Sequence, residues 1–301
     1  MDLEHKAIER IKMAAEMSQA YYGKPLIIVT SGGKDSDVCV ELAKRSGIAF
    51  EVHHHTTADA PQTVYHVRQQ FKKLEEQGVS CTINYPIYKN QQVTMWSLIP
   101  QKLMPPTRSI RYCCSVIKEA ANANRVIVTG VRKEESVQRS SRGALERLGR
   151  TKKEMILFDD GLDEENDQIV MDKIYLNNDN DPRRRPLEHC QTKGKFVCNP
   201  IIDWTTRDVW DFIHSEKLEV NPLYQCGFDR VGCIGCPMAG KARYWEFEQF
   251  SAYERMYRRA FAEMLDARKQ RGMDTRWKTA DEVFSWWMDD KNLDGQMKLD
   301  V

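Results

Sequence analysis

The feature that most constrains the fold is a short apolar run, Pro25-Leu26-Ile27-Ile28-Val29-Thr30, that passes directly into Ser31-Gly32-Gly33-Lys34-Asp35-Ser36. The run is rich in β-branched residues and lacks the alternation of a half-wet strand, so it predicts a parallel strand buried on both faces. The glycines predict a tight turn, and the residues from Val38 to Arg45 predict a helix behind it. A strand, a glycine loop and a helix in that order place the loop at the carboxyl edge of an open α/β sheet, where such sheets bind ligands. Glycines let backbone N–H groups face an anion, and a helix N-terminus adds partial positive charge. An ordinary P-loop is excluded, because it needs glycine at position 28 and Ser or Thr at position 35, which hold Ile28 and Asp35.

The rest of the chain repeats the strand and helix alternation. Residues 3–20 predict an amphipathic helix, Ile48–His53 a second strand, Pro61 the start of another helix, Cys81–Ile87 a third strand and Arg125–Thr129 a fourth. The expected fold class is therefore α/β, a doubly wound parallel sheet with helices on both faces, followed by a cysteine-rich loop and C-terminal helices over Ala242–Arg271 and Asp281–Asp290. Between about Arg150 and Pro186 the pattern dissolves into charge, which predicts a solvated insertion with a hairpin around Ile169–Tyr175. The expected organisation is an N-terminal helix (1–22), a nucleotide-binding core (23–149), the insertion (150–186), the remainder of the core with the cysteine loop (187–240) and the closing helices (241–301). The 301 residues are enough for one large core with a small appendage. With 45 Lys and Arg against 44 Asp and Glu, any nucleic-acid contact has to rest on a local basic patch. The N-terminus lacks an apolar core behind a basic end, and no apolar run spans a bilayer, so a cytoplasmic protein without a membrane partner is expected.

The SGGKDS loop resembles the PP-loop of the adenine nucleotide α-hydrolase superfamily. Two further stretches extend the likeness. Thr129-Gly130-Val131-Arg132-Lys133-Glu134-Glu135-Ser136-Val137-Gln138-Arg139 is similar to the G-x-R-x-x-E-S-x-x-R segment of sulfonucleotide reductases, and Asn199–Trp210 is similar to that family's NPLxDWTxxDVW. The resemblance, to the phosphoadenosine phosphosulfate reductase family, covers most of residues 25–240. It implies binding of ATP, or of adenylylsulfate or its 3′-phosphorylated form, with Mg2+. The residues implicated are Ser31, Gly32, Gly33, Lys34, Asp35, Ser36, His55, Thr56, Gly130, Arg132 and Arg139, with Lys34, Asp35 and Arg132 as catalytic candidates; arginine forks suit phosphate and sulfate oxygens. The third stretch is expected to be architectural. Consecutive histidines at 53–55 cannot converge on one ion from a strand whose side chains alternate; the resemblance, in which the end of this strand lies beside the adenine, implies instead that Val52–Thr57 lines the nucleotide pocket.

Nine cysteines in a reducing compartment predict buried thiols and metal ligands rather than disulfides. The pairs Cys113-Cys114 and Cys233-Ile234-Gly235-Cys236 resemble the two halves of the cluster site in adenylylsulfate reductases, which implies a 4Fe-4S cluster on these four thiolates. Zinc is the competing metal, and Cys190, Cys198 or Cys226 remains an alternative to Cys113 or Cys114. Cys39 and Cys81 are expected in the core. A reductase of this family attacks sulfur with a thiolate on a mobile C-terminal tail, whereas residues 292–301 contain no cysteine. The expected function is thus ATP-dependent, iron-sulfur-dependent sulfur transfer with release of pyrophosphate to an acceptor such as a nucleic acid. A sulfur donor such as a cysteine desulfurase and a homo-oligomeric state are implied. Sulfonucleotide reduction is the second reading and a nucleotide-sensing module without turnover the third.

Overall fold

The computed structural model describes residues 2–140, 142–148, 188–190 and 195–289. The charged insertion, with its expected hairpin, and the last twelve residues of the sequence lie outside them. The chain forms two compact units, one from residues 1–54, 62–83 and 122–231, the other from 55–61, 84–121 and 232–301.

The first unit holds a seven-stranded sheet. In chain order its strands are β1 (Leu26–Thr30), β2 (Phe50–His55) and β3 (Ser80–Asn84), followed in the full chain by β4 (Ile87–Tyr88) and β5 (Gln91–Gln92), a separate hairpin of the second unit. The sheet continues with β6 (Val126–Val128), β7 (Leu145–Leu148), β8 (Glu188–Cys190) and β9 (Lys195–Cys198), in the spatial order β3-β2-β1-β6-β9-β7-β8. β1 runs parallel to β2 and β6, and β6 parallel to β9, whereas β7 joins β9 antiparallel. Three strands, β7 to β9, are not expected from the sequence, since Leu145-Glu146-Arg147-Leu148 and Lys195-Phe196-Val197-Cys198 are too short and mixed to stand out from the charge around them.

β1 explains why the expected strand had to be apolar throughout. Leu26 and Ile28 enter the main core with Val126 and Val128, and Ile27 packs on the opposite face with Ile127 and Val197. Helices α1 (Leu3–Tyr22) and α2 (Lys34–Ser46) pack on each other and on this sheet, with Ile11, Val38 and Leu42 fully buried. α2 begins immediately after the glycines rather than at Val38, because Gly33 serves as its extended N-cap and Gly47, at φ +70°, ends it in the left-handed region. α3 (Pro61–Glu76) adds Val67, Phe71 and Leu74 to the core. The short α5 (Val137–Ser140) follows β6. α6 (Thr206–Ser215) starts on a Thr205 capping box, closed by Asp208. The segment before it has the architectural role its sequence suggests: Trp204 is buried, and Asp203 ties to α1 through Lys6 at 2.7 Å and Arg10 at 2.5 Å.

The second unit is helical around an aromatic core. α4 (Met95–Lys102) packs along α8 (Ser251–Gln270), with Trp96 set edge-on to Tyr257 at 4.8 Å. α7 (Ala242–Gln249) and α9 (Ala280–Met288) contribute Phe247, Phe284 and Trp287. A single helix over Ala242–Arg271 is expected from the sequence; the structure breaks it at Phe250, whose ψ of 59° takes it out of the helical region. Arg243 is fully buried, donating to the Trp287 carbonyl at 3.0 Å with its guanidinium over that indole.

Candidate nucleotide loop and candidate cysteine centre

In the first unit the glycine loop is held by hydroxyls from its own flanks. Ser36 Oγ donates to the Gly33 carbonyl at 2.7 Å, and Gly32 N donates to Thr30 Oγ1 at 3.1 Å. Gly32 sits at φ +69°, and a Cβ there would lie 2.9 Å from Val67 Cγ2, so conformation and space both demand glycine. Two residues far along the chain complete the loop. Asn221 Nδ2 donates to the Gly32 carbonyl at 2.9 Å, and the Tyr224 hydroxyl accepts from Lys34 N at 2.9 Å. Burial and the nearby Asp35 carboxylate push the Tyr224 phenol up, so it stays a neutral hydroxyl. Sequence reasoning did not identify either residue. Asn221-Pro222 is a turn signal that marks the site of the bend but not its target, and nothing in the sequence announces Tyr224.

The residues expected to handle phosphate meet around Asp35. Arg132 Nε donates to Asp35 Oδ1 at 2.7 Å and Lys34 Nζ to Asp35 Oδ2 at 2.8 Å. Lys34 and Asp35 are expected on an exposed loop, but they form the first turn of α2, and Lys34 is buried. Arg132 is 3% exposed, with further bonds to Glu134, Thr206 and the Trp204 carbonyl. It therefore braces the loop, the segment after β6 and the start of α6 together. Gly130 lies against the same turn: a Cβ there would stand 2.7 Å from the Asp35 carbonyl carbon. Arg139 pairs with Glu135, one helical turn back. The histidines separate as strand alternation requires: His53 faces Asn122 and Glu51, and His54 faces the Thr30 carbonyl. In the second unit His55 is buried and Thr56 donates to the Asn84 carbonyl at 2.9 Å.

The four cysteines singled out by the sequence all belong to the second unit. Cys114 opens a π-helical turn, Cys114–Glu119. The Cys113 thiol is raised by its hydrogen bond to Cys114, by burial and by the charges of Cys114, Cys233 and Cys236. The Cys114 thiol is lowered to about 5 by that same hydrogen bond, with Arg111 Nη2 donating to its sulfur at 3.3 Å. Cys233, above all, also raises the Lys118 ammonium. The C-x-x-C turn is fixed by Ile234 N donating to the Ala58 carbonyl at 2.8 Å and Gly235 N to Glu246 Oε2 at 2.7 Å. Gly235 is at φ +73°, and a Cβ would run into the Phe247 ring. Among the described residues no three His, Cys, Asp or Glu side chains are grouped as a single metal ion requires. A cubane makes a different demand, one thiolate for each of four irons, and a donor set in which Cys113 feels the charges of Cys114, Cys233 and Cys236, with Arg111 and Lys118 nearby, has the chemistry for it. Of the other cysteines, Cys39 and Cys198 are buried in the first unit's core, Cys81 is raised to about 11 by burial, and Cys226 is exposed. The side chain of Cys190 lies outside the described residues.

Among the described residues no helix is long and apolar enough to cross a membrane. An uncharacterised protein of Methanocaldococcus jannaschii is 26% identical over 306 residues, covering 98% of this chain and 59% of its own length. An adenosine 5′-phosphosulfate reductase of Anoxybacillus flavithermus is 37% identical over 65 residues, 20% of this chain and 27% of the reductase. The chain thus spans less than two thirds of the length of these relatives. A solved phosphoadenylyl-sulfate reductase of Candida auris, in a phosphate complex, is 12% identical with a TM-score of 0.42, covering 77% of this chain and 93% of that one. The model of the phosphoadenosine phosphosulfate reductase domain matches residues 25–239, from the start of β1 through the C-x-x-C turn. That is well over half of the sequence, and the chain belongs to the phosphoadenosine phosphosulfate reductase domain family.

Proposed function

We propose that the chain binds ATP at Ser31–Ser36 and uses cleavage at the α-phosphate to drive sulfur transfer to an acceptor. The observation that carries this reading is the collection of Cys113, Cys114, Cys233 and Cys236 in one unit of a chain whose other unit builds a PP-loop. An acceptor oxygen attacks the α-phosphorus, the bond to the bridging oxygen breaks and pyrophosphate leaves. The N-terminus of α2 and the Lys34 ammonium stabilise the leaving charge, and Gly32 and Gly33 allow the backbone to approach it. Asp35 holds Lys34 and Arg132 in register from either side. A 4Fe-4S cluster on the four cysteines supplies a place for labile sulfur when bound, and a donor such as a cysteine desulfurase replenishes it.

Sulfonucleotide reduction is the second reading, and Cys226 is the observation in its favour. This exposed thiol ends the Pro222–Cys226 turn, whose Tyr224 hydroxyl contacts the loop. Anaerobically purified protein is therefore incubated with ATP and candidate acceptors, and separately with adenylylsulfate or its 3′-phosphorylated form and thioredoxin. Acceptor-dependent pyrophosphate release without sulfite is expected. Thioredoxin-dependent sulfite release, abolished by Cys226→Ser, would replace the first reading by the second.

A further inference from the structure

The glycine loop of the first unit spends much of its own donor capacity on itself. Ser31 N donates to Ser36 Oγ at 3.3 Å, Gly32 N to Thr30 Oγ1 at 3.1 Å and Ser36 N to the Gly33 carbonyl at 3.0 Å. The Lys34 ammonium is held by Asp35 at 2.8 Å. Gly33, the N-cap of α2, has no side chain with which to cap the helix, and the N–H of Lys34 that follows it is taken by the Tyr224 hydroxyl at 2.9 Å. One of the N–H groups through which a helix N-terminus attracts an anion thus ends on a phenol oxygen.

That hydroxyl is placed for a second task. It lies over the loop: a Cβ built on Gly33 would meet it at 3.3 Å. Its ring is set edge-on against Trp210 of α6 at 5.3 Å. Backbone N–H groups of Lys34 and Val231 both bond the oxygen, and burial keeps the phenol protonated. A hydroxyl has two lone pairs and one proton, so both lone pairs are engaged and only the O–H is left to give. Among the described residues no acceptor takes it. A group that can only donate calls for a partner that can only accept, which an ionised phosphate oxygen is and an alcohol or an amide N–H is not.

We infer that Tyr224 is a phosphate-binding residue: its hydroxyl donates to an oxygen of a pyrophosphate group lying on Ser31–Ser36, and so passes the polarity of the Lys34 N–H on to the anion. In such a chain each hydrogen bond polarises the next. The inference rests on the reading of the loop as a nucleotide site and adds to it a contact from 190 residues further along the chain; the contact needs neither adenine nor turnover.

The test is calorimetric titration of the full, anaerobically purified chain with inorganic pyrophosphate and, separately, with ATP. Tyr224→Phe is expected to weaken both about tenfold, the loss of one hydrogen bond to a charged group. Because phenylalanine also removes the acceptor from Lys34 N, a second protein carries 3-fluorotyrosine at position 224, whose hydroxyl donates more strongly and accepts more weakly than that of tyrosine. It is expected to bind pyrophosphate about twofold more tightly than wild type, a fraction of one hydrogen bond, although its support of α2 is weaker. Tyr65→Phe, at an exposed tyrosine of α3, leaves the affinity unchanged. A Tyr224 that merely caps α2 gives the opposite pattern: the 3-fluorotyrosine protein binds no more tightly, and phenylalanine frees the Lys34 N–H for the anion and holds the affinity at or above that of wild type. Either result overturns the inference and leaves the nucleotide reading standing; if Tyr224→Phe fails to fold, the 3-fluorotyrosine protein decides alone. Wild-type protein that binds neither pyrophosphate nor ATP removes the nucleotide reading, and the inference with it.

Discussion

Gly130→Ala probes the loop through its packing against Asp35, without removing a charged side chain. An added Cβ would stand 2.7 Å from the Asp35 carbonyl carbon and 2.8 Å from its oxygen. Carbon atoms rest at about 3.5–4.0 Å, so the first turn of α2 must retreat by roughly 1 Å. These two atoms are backbone, and the third it meets, the Asp35 Cβ at 2.9 Å, is fixed by that backbone, so no rotamer change can relieve the contact. Overpacking of this kind costs about 1–3 kcal/mol. The matched comparison is Gly47→Ala at the other end of the same helix, where space is open but φ is +70°; holding alanine there costs about 1–2 kcal/mol. The two variants are thus expected to lose similar thermal stability, measured by circular dichroism. Their ATP affinities, by calorimetric titration, are expected to diverge: at least tenfold weaker in Gly130→Ala, where Asp35 and its partners Lys34 and Arg132 are displaced, and unchanged in Gly47→Ala. Wild-type affinity in a folded Gly130→Ala protein, or equal losses in both variants, would refute the claim that this contact sets the loop.

Iron is expected at about four atoms per chain after anaerobic reconstitution; Cys113→Ser and Cys236→Ser should each reduce it and Cys81→Ser should not, as read by metal analysis and visible absorption. Asp203 offers a pH test of the α1 tie. Burial alone would raise its carboxyl, but hydrogen bonds from Arg10 and Lys6 outweigh burial and hold it at about 2. A depressed carboxylate stabilises the fold above its unfolded pKa and loses that contribution as pH falls through the folded value, so Asp203→Asn should cost about 2 kcal/mol at neutral pH. In urea denaturation the gap between wild type and variant should begin to close below about pH 4 and vanish only near pH 2; a gap that is constant with pH would show the ion pairs to be inert.

Local chemistry made much of this protein legible in its sequence. A continuous β-branched run can only be a strand covered on both faces, and β1 is one, with Ile27 on one side and Leu26 and Ile28 on the other. Glycines followed by a helix imply an anion-facing turn because φ and helix polarity are set within a few residues. The resemblance of the two cysteine pairs singled out Cys113, Cys114, Cys233 and Cys236, and all four fall in the second unit. What the tertiary structure decided are relations between residues that share no local signal. Tyr224 and Asn221 reach the loop from nearly two hundred residues away, because the bend after α6 returns them to the end of β1. Arg132, which the sequence offers as a free anion-binding fork, is buried among Asp35, Glu134 and Thr206, so its first task is to brace the loop. The short, mixed strands β7 to β9 become strands only because β6 leaves an edge for β9 to pair with. Periodicity records which side of an element is dry; it holds no record of which distant side chain will meet it there, and that is fixed only when the packed core brings them within hydrogen-bonding distance.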